Sequence, residues 1–232
     1  MAWFGRRSRE ADASEVDELD GLEEGPLSTR EHGPWDVDEV PDRGDRLDLG
    51  ALWVPRREGM ELRMEVDKAS RVVTAAALAL HGSTLQLQVF AAPRSTGIWD
   101  EIRAEIAESV TRQGGTVDDL PGPFGRELLA RLPVRTAEGR TGHRPARFIG
   151  FDGPRWFLRG VVSGRAAVDP EKSRELEAVF ADVVVLRGDR PRAPRDLLPL
   201  TLPGQAGPDV DAAVPGTSFD PLKRGPEITE VH

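Results

Sequence analysis

The sequence predicts an α+β protein in which an antiparallel sheet, built from hairpins, carries two main helices. Three features of the 232-residue chain support this prediction. Several segments place apolar residues at every second position, which is typical of strands with one buried face. Glycine-containing turns separate these segments, and two later segments show apolar residues at helical spacing. Strands and helices alternate in an order that favours helices packed on one antiparallel sheet.

The charge and proline distribution divides the chain into three parts. Residues 1–44 contain 5 basic and 13 acidic residues, and we expect them to form a disordered acidic arm. Residues 45–187 are nearly neutral and have the size of one α+β domain. Residues 188–232 contain eight prolines, which prevent a continuous helix or strand. Within this tail, residues 197–203 are apolar enough to lie along the core as an extended strap.

The first half of the domain is predicted to be mainly sheet. Residues 47–54 indicate a short strand that ends before Pro55. Residues 60–66 alternate apolar and polar side chains and predict a strand with one buried face. Residues 71–80 and 84–92 flank His81-Gly82-Ser83, and this pattern predicts a hairpin because glycine adopts the positive φ of a tight turn.

A helix is predicted next, beginning near Ser95 or Thr96, either of which can cap it. Its apolar stripe consists of Ile98, Trp99, Ile102, Ile106 and Val110. Gly114-Gly115 ends the helix. Residues 116–120, 127–134 and 142–151 then predict three strands. A turn is expected at 121–125 and a loop at 137–141.

The last part of the domain is predicted to be a hairpin, a helix and a strand. Asp152-Gly153 indicates a two-residue turn into a strand over 155–163. Asp169 and Pro170 mark the start of the second helix, and 183–186 is an apolar strand. The order hairpin, helix, short strand thus occurs at 71–120 and at 144–187. A pseudo-repeat and a chance recurrence both explain this order.

Composition and motifs argue against several function classes. The absence of cysteine excludes disulfides, thiolate metal sites and a cysteine nucleophile. No phosphate-binding P-loop or G-x-S-x-G nucleophile elbow occurs, and the four histidines are scattered. We therefore expect no catalytic residues, no metal and no cofactor, and a non-enzymatic protein is favoured. No apolar run spans a bilayer and the start lacks an apolar signal region, so we expect a cytoplasmic protein.

One group of residues is a candidate binding surface. Nine arginines lie between 126 and 165, against three acidic residues. In the strand over 155–163, period two places arginines and aromatics on one face, and pairing of Phe148 with Phe157 adds Phe148 to it. The candidate binding residues are Arg147, Phe148, Arg155, Phe157, Arg159 and Arg165. Arginines and aromatic rings are typical interface anchors. The alternative is that the arginines pair with helix carboxylates and the aromatics belong to the core.

These observations leave three functions open. The first is a protein-interaction module that presents the arginine and aromatic face to a protein partner, with the acidic arm as modulator. The second is a binder of a small molecule or nucleotide phosphate, conceivably an enzyme, in which Arg147, Arg155, Arg159 and Arg165 clamp the anion. The third is nucleic-acid binding through the basic stretch, against which the overall acidity of the chain argues.

Several segments of the chain resemble one family. They are residues 33–42 (GPWDVDEVPD), 46–52 (RLDLGAL), 85–106, 111–128 and 147–170 (RFIGFDGPRWFLRGVVSGRAAVDP). They are similar to an uncharacterised actinobacterial family, domain of unknown function 3710, over about residues 30–203. The resemblance implies a cytoplasmic actinobacterial protein. It carries no activity and no functional residues over to this chain.

Overall fold

The protein was analysed as a computed structural model, which describes residues 32–94, 97–135 and 141–204. In this part of the chain the main element is a seven-stranded antiparallel sheet. Its strands are β4 (Glu61–Val66), β5 (Val73–Leu80), β6 (Ser83–Ala91), β7 (Thr116–Gly122), β8 (Gly125–Arg135), β9 (Thr141–Gly153) and β10 (Trp156–Ser163). They lie in the order β4-β5-β6-β10-β9-β8-β7. The predicted antiparallel, hairpin-rich sheet is confirmed.

A second, smaller sheet was not predicted. It contains β1 (Trp35–Asp36), β2 (Leu47–Asp48), β3 (Leu52–Val54) and β11 (Val184–Val185), in the order β1-β11-β3-β2. The prediction of one strand over 47–54 was wrong, because the chain reverses at Gly50, where φ is 78°, and pairs Leu47 with Val54. β1 runs parallel to β11. A pairing so distant in sequence leaves no local signal.

Both predicted helices are confirmed, and they cover opposite faces of the large sheet. The prediction of Ser95 or Thr96 as the cap of the first helix was wrong, because the N-cap is Ile98, and residues 95–96 lie outside the described residues. Helix α1 (Trp99–Arg112) buries its predicted apolar stripe against Phe90, Phe148 and Phe157 on what we call the α1 face. Helix α2 (Pro170–Ala181) begins at the Asp169 cap and packs on the other side, the α2 face. The small sheet covers the α2 face as well. The recurring order of elements is therefore real, but its two helices lie on different sides of the sheet.

The hairpin between β9 and β10 differs from its prediction. The turn lies at Pro154-Arg155 rather than at Asp152-Gly153, and Phe148 pairs with Val161 rather than with Phe157. Gly153 is required because the Trp156 indole occupies the space that a Cβ would fill. Since the partner of Phe148 moves by four residues along β10, an even number, the same side chains still share a face.

The fold extends beyond both predicted domain boundaries at 45 and 187. Trp35 donates its backbone N–H to Val183, and the Trp156 indole donates to Asp36 Oδ2 at 2.6 Å. At the other end, residues 197–201 lie along the sheet, where Leu198 donates to Val89 and Leu200 to Val73. The acidic arm falls mostly on residues 1–31, which lie outside the described residues, as does the tail beyond 204.

Candidate functional site

The structure does not bring the six predicted binding residues together into one site. Adjacent positions along a strand point to opposite faces, so Arg147 lies on the α2 face whereas Phe148, Phe157 and Arg159 lie on the α1 face. Arg155 lies in the turn between β9 and β10, and Arg165 begins a 3-10 turn before α2. Each residue therefore has to be judged in its own surroundings.

The two aromatic candidates are core residues. Phe157 is 0 % exposed and Phe148 is 5 % exposed, because α1 lies over both. The Phe157 ring stacks on Trp99 with 5.7 Å between ring centroids. Trp99 approaches the sheet closely at Gly150, where a Cβ would collide with the indole. This part of the predicted arginine and aromatic face is thus covered by the protein itself, as the alternative interpretation expected.

Arg147 belongs to a buried ion-pair network that joins the sheet to α2. Its Nη2 donates to Glu177 Oε1 at 2.7 Å and its Nη1 to Glu127 Oε1 at 3.3 Å. Ser173 also donates to Glu177, at 2.7 Å. Burial raises the pKa of Glu127, and Arg147 opposes this rise. Two carboxylates thus accept from Nη1 and Nη2 inside the fold, while the buried Nε has no hydrogen-bond partner, and Arg147 has a structural role.

Two further arginines of the basic stretch are also paired within the protein. Arg126 Nε contacts Asp119 Oδ1 at 2.8 Å, and Arg131 Nη1 contacts Asp118 Oδ2 at 2.6 Å. These contacts join β7 to β8 on the exposed edge of the sheet. The pairs are half-exposed and contribute little to stability. Part of the excess of positive charge counted along the sequence is therefore neutralised by acidic residues of β7 and α2.

Arg159 lies in a polar network on the α1 face beside the helix. It is 2 % exposed, donates to Gln88 Oε1, and its guanidinium lies 5.8 Å from the centroid of the Phe90 ring. The neighbouring Gln86 donates to Glu65 Oε2 at 2.6 Å. Burial raises the pKa of Glu65, which Gln86 and Arg159 oppose. This network runs from β10 across β6 to β4.

The network borders a part of the sheet that we call the open sheet half. It consists of Arg63, Glu65, Ala77, Ala79, Gln86, Gln88, Val161 and Ser163. These side chains share the α1 face, yet α1 packs against β7, β8 and β9, and the core beneath it contains no residue of β4 or β5. The alanines and glutamines here are half-buried, and Arg63 is exposed.

Arg165 lies at a shallow cleft of about 540 Å³ between the β5–β6 turn and the start of α2. The cleft also contains His81, Lys172 and Glu175, and His81 Nδ1 lies 3.6 Å from Glu175 Oε2. Positive and negative side chains alternate around it. None of the described residues that line this cleft has a buried polar side-chain atom without a hydrogen-bond partner.

Arg155 lies near Arg187, a buried arginine that was not predicted from the sequence as a candidate residue. Arg155 has a positive φ of 60° in its turn, and Ala92 donates to its carbonyl. Arg187 follows β11 and is only 8 % exposed. Burial lowers the pKa of Arg187, and the nearby charges of Arg155 and Arg192 lower it further, whereas Asp189 raises it. The only sequence signal for Arg187 is its position directly after the apolar run 183–186.

Two further findings on the described residues concern metal ligands and membrane-spanning helices. They contain no group of three histidine, aspartate or glutamate side chains arranged to hold a metal ion. No helix among them combines the length and the apolar composition that crossing a bilayer requires. The expectation that the protein uses no cofactor and no metal stays a prediction.

A family model described as "Protein of unknown function (DUF3710)" matches residues 33–209 of the chain. The match covers both sheets and both helices, and it begins two residues before β1. No curated protein matches the sequence. The resemblance noted in the sequence is thus confirmed, and any function has to be argued from the geometry.

Proposed function

We propose that this chain, which belongs to the DUF3710 family, is a non-enzymatic protein-interaction module. The observation that carries the proposal is that the α1 face is only half covered. Among the described residues, α1 lies over one half, and the open sheet half next to it retains half-buried apolar and polar side chains. We propose that an amphipathic helix of a protein partner docks there.

Helix α1 provides the model for such a docked helix. It lies on the same face and inserts Ile102 and Ile106 between large side chains of the sheet. On the open sheet half, Ala77 and Ala79 are small, so a helix can approach the backbone closely. Gln86 and Gln88 carry amides that can both donate and accept hydrogen bonds at the edge of such a contact.

Charge favours an acidic helix as the occupant. Arg159 is buried at the border of the open sheet half, and Arg63 is exposed on its outer strand, where Glu61 lies 3.1 Å away. Burial raises the pKa of Glu65, and the Gln86 hydrogen bond and the charge of Arg159 oppose this rise. The acidic arm is an internal competitor for the same charges. Its removal should stop at residue 31, because β1 and the bond from Trp156 to Asp36 belong to the fold.

The proposal is tested by capturing partners with matched surface variants of the full chain. Ala77→Arg places a long charged side chain on the open sheet half, whereas Ala104→Arg places the same side chain on the exposed side of α1. Tagged wild type and both variants are used as baits in nuclease-treated extract of cells that naturally make the protein. Captured proteins are identified by mass spectrometry and purified, and their affinities are measured by calorimetry.

We expect the wild-type and A104R baits to capture the same protein. This protein should bind A77R at least about tenfold more weakly, because a charged side chain prevents close helix packing. Deleting residues 1–31 should strengthen its binding. A partner that binds A77R and wild type equally, or a bait that captures no protein, contradicts the proposal. Thermal unfolding checks that both variants are folded.

The other two functions are weighed against the same geometry. The anion clamp of Arg147, Arg155, Arg159 and Arg165 lacks a common site, since Arg147 and Arg159 lie on opposite faces and both have partners. Nucleic-acid binding remains a prediction, and partners released by nuclease treatment would favour it. The cytoplasmic location and the actinobacterial source also stay predictions.

A further inference from the structure

Arg187 is a buried arginine at the end of the small sheet. Leu186 anchors the preceding backbone by donating to Ala51 at 2.9 Å. The Arg187 side chain then turns inward, and its Nη1 donates to the carbonyls of Gly188 and Arg190 at 2.9 and 2.7 Å. Its Nε is buried and has no hydrogen-bond partner. Only one of the three guanidinium nitrogens thus finds acceptors among the described residues.

Arg187 forms no ion pair within 4 Å with any described carboxylate. Buried or half-buried acids at this end of the molecule serve other groups. Asp36 accepts from Trp156 and from the Asp38 backbone, and Asp152 accepts from the backbone of Ile98 and Trp99. Asp196 is half-buried and accepts from the backbone of Ala193 at 3.0 Å. Asp189 is exposed and acts on Arg187 only at longer range. A buried charge without a counter-charge is destabilising, which points to an anion from outside the chain.

Arg155 and Arg192 add positive charge at the same place. The segment after Arg187 runs along the end of β6, where Ala91 exchanges backbone hydrogen bonds with Arg195 and Asp196. The next residue, Ala92, donates to Arg155, so this segment and the β9–β10 turn meet. Arg155 also occupies a left-handed backbone conformation, with φ 60°, that glycine adopts more easily.

We propose that Arg187, Arg155 and Arg192 form a binding site for the phosphate groups of a small molecule. The carbonyls occupy Nη1 of Arg187 and the protein encloses Nε, which leaves Nη2 for a ligand. The two N–H groups of Nη2 are charged donors of the kind that phosphate oxygens accept strongly. Three guanidinium groups favour an anion with more than one charge over a single carboxylate. This site lies apart from the open sheet half, and the inference is independent of the proposed function.

The inference is tested with the full chain and sodium pyrophosphate, against sodium chloride at equal ionic strength. Calorimetry gives the dissociation constant, and thermal unfolding gives the shift in Tm that binding causes. The variants are Arg187→Met and Arg155→Gly. The control is Arg71→Gly, because Arg71 is exposed and has the same positive φ of 60° but lies in a different turn. R155G relieves backbone strain, so it should fold even if R187M does not.

We expect wild type and R71G to bind pyrophosphate equally, and R155G and R187M to bind at least about tenfold more weakly, the loss typical of a charged hydrogen bond. Pyrophosphate should raise the Tm of wild type and R71G only. A second arm with adenosine diphosphate shows whether a nucleotide improves on the phosphates alone. The inference is overturned if calorimetry detects no binding of pyrophosphate to wild type beyond the effect of sodium chloride at equal ionic strength. It is also overturned if R155G binds pyrophosphate as tightly as R71G does.

Discussion

Two arginines, Arg147 and Arg187, are buried to nearly the same degree, with 9 % and 8 % of their surface exposed. Their surroundings are opposite in charge. Arg147 contacts the carboxylates of Glu127 and Glu177, whereas Arg187 contacts two backbone carbonyls and has other arginines nearby. Equal burial thus accompanies two carboxylate partners in one case and only backbone carbonyls in the other, while the Nε atom of each arginine is buried without a hydrogen-bond partner.

The two arginines differ in which parts of the fold they connect. The Arg147 network joins β8, β9 and α2, three elements that the chain must hold together, and its charges are neutralised within the molecule. Arg187 joins only the loop that follows it. Burying a charge without a counter-charge costs stability, so Arg187 is the residue for which an external partner has to be sought.

The largest effect is expected from Arg147→Met, which leaves Glu127 and Glu177 buried without their cation. We expect a loss of about 3–5 kcal/mol in the free energy of unfolding, since breaking a buried pair leaves an uncompensated charge. Urea denaturation of the purified full chain measures this loss.

The same substitution at Arg187 is the matched control for this comparison. Because R187M removes a buried charge that has no carboxylate partner, we expect a change within about 1 kcal/mol of wild type in anion-free buffer. If R187M destabilises the protein as strongly as R147M, Arg187 is a structural residue like Arg147, and the contrast between the two regions fails.

An intermediate effect is expected from Asp152→Ala. The Asp152 carboxylate accepts from the backbone of Ile98 at 2.8 Å and of Trp99 at 3.1 Å, and so caps α1 from a neighbouring strand. We expect a loss of about 1–2 kcal/mol, the usual effect of removing a helix cap. Thermal and urea unfolding measure it.

Asp152→Asn separates capping from charge, because asparagine keeps a cap acceptor and removes the negative charge. It should cost clearly less stability than D152A and leave pyrophosphate affinity near that of wild type. Much tighter pyrophosphate binding by D152N would show that Asp152 neutralises the arginines around Arg187. In that case the region around Arg187 would already have its counter-charge.

The smallest effect is a pH dependence in the Arg147 network. Burial raises the pKa of Glu127 above 4.5, so the folded protein retains this proton to higher pH than the unfolded chain. Ionising Glu127 therefore lowers stability as pH rises from 4.5 through the raised pKa. The free energy of unfolding of Glu127→Gln, relative to that of wild type, should therefore be higher at about pH 7 than at about pH 4.5. Urea unfolding at each pH measures this difference.

Glu108→Gln serves as the control for this pH series. Glu108 is exposed on α1 and pairs with Arg112 at 2.8 Å, so its substitution removes a carboxylate that lies outside the Arg147 network. E127Q and E108Q should therefore differ in the pH dependence of their effects. The same pH profile for both variants would mean that the Arg147 network holds Glu127 no differently from a surface carboxylate.

Much of the fold could be predicted because its signals are local. The apolar stripe from Trp99 to Val110 and the cap at Asp169 identify the two helices, and alternation over 60–66 identifies a strand with one buried face. The hairpin turn at Asp152-Gly153 was predicted wrongly because both residues are used otherwise. Asp152 caps α1, and Gly153 makes room for Trp156. Neither use is visible in the neighbouring sequence.

The candidate site was predicted less well, for a related reason. Local pattern placed Phe148, Phe157 and Arg159 on one face, and this assignment was correct. It could not show that α1 covers the two aromatics or that Glu177 from α2 neutralises Arg147. Arg187 was overlooked because no pattern distinguishes it from the other arginines near the end of the chain.

Local sequence patterns were enough to predict both helices, the seven strands of the large sheet and the family, since periodicity, caps and turn residues act within a few positions of the chain. The tertiary structure alone decided which face each helix covers, that β1 pairs with β11, and which buried arginine finds a carboxylate. Those outcomes depend on contacts between residues as far apart as Asp36 and Trp156. Burial and charge compensation are set by such contacts, so they emerge only when the chain is folded.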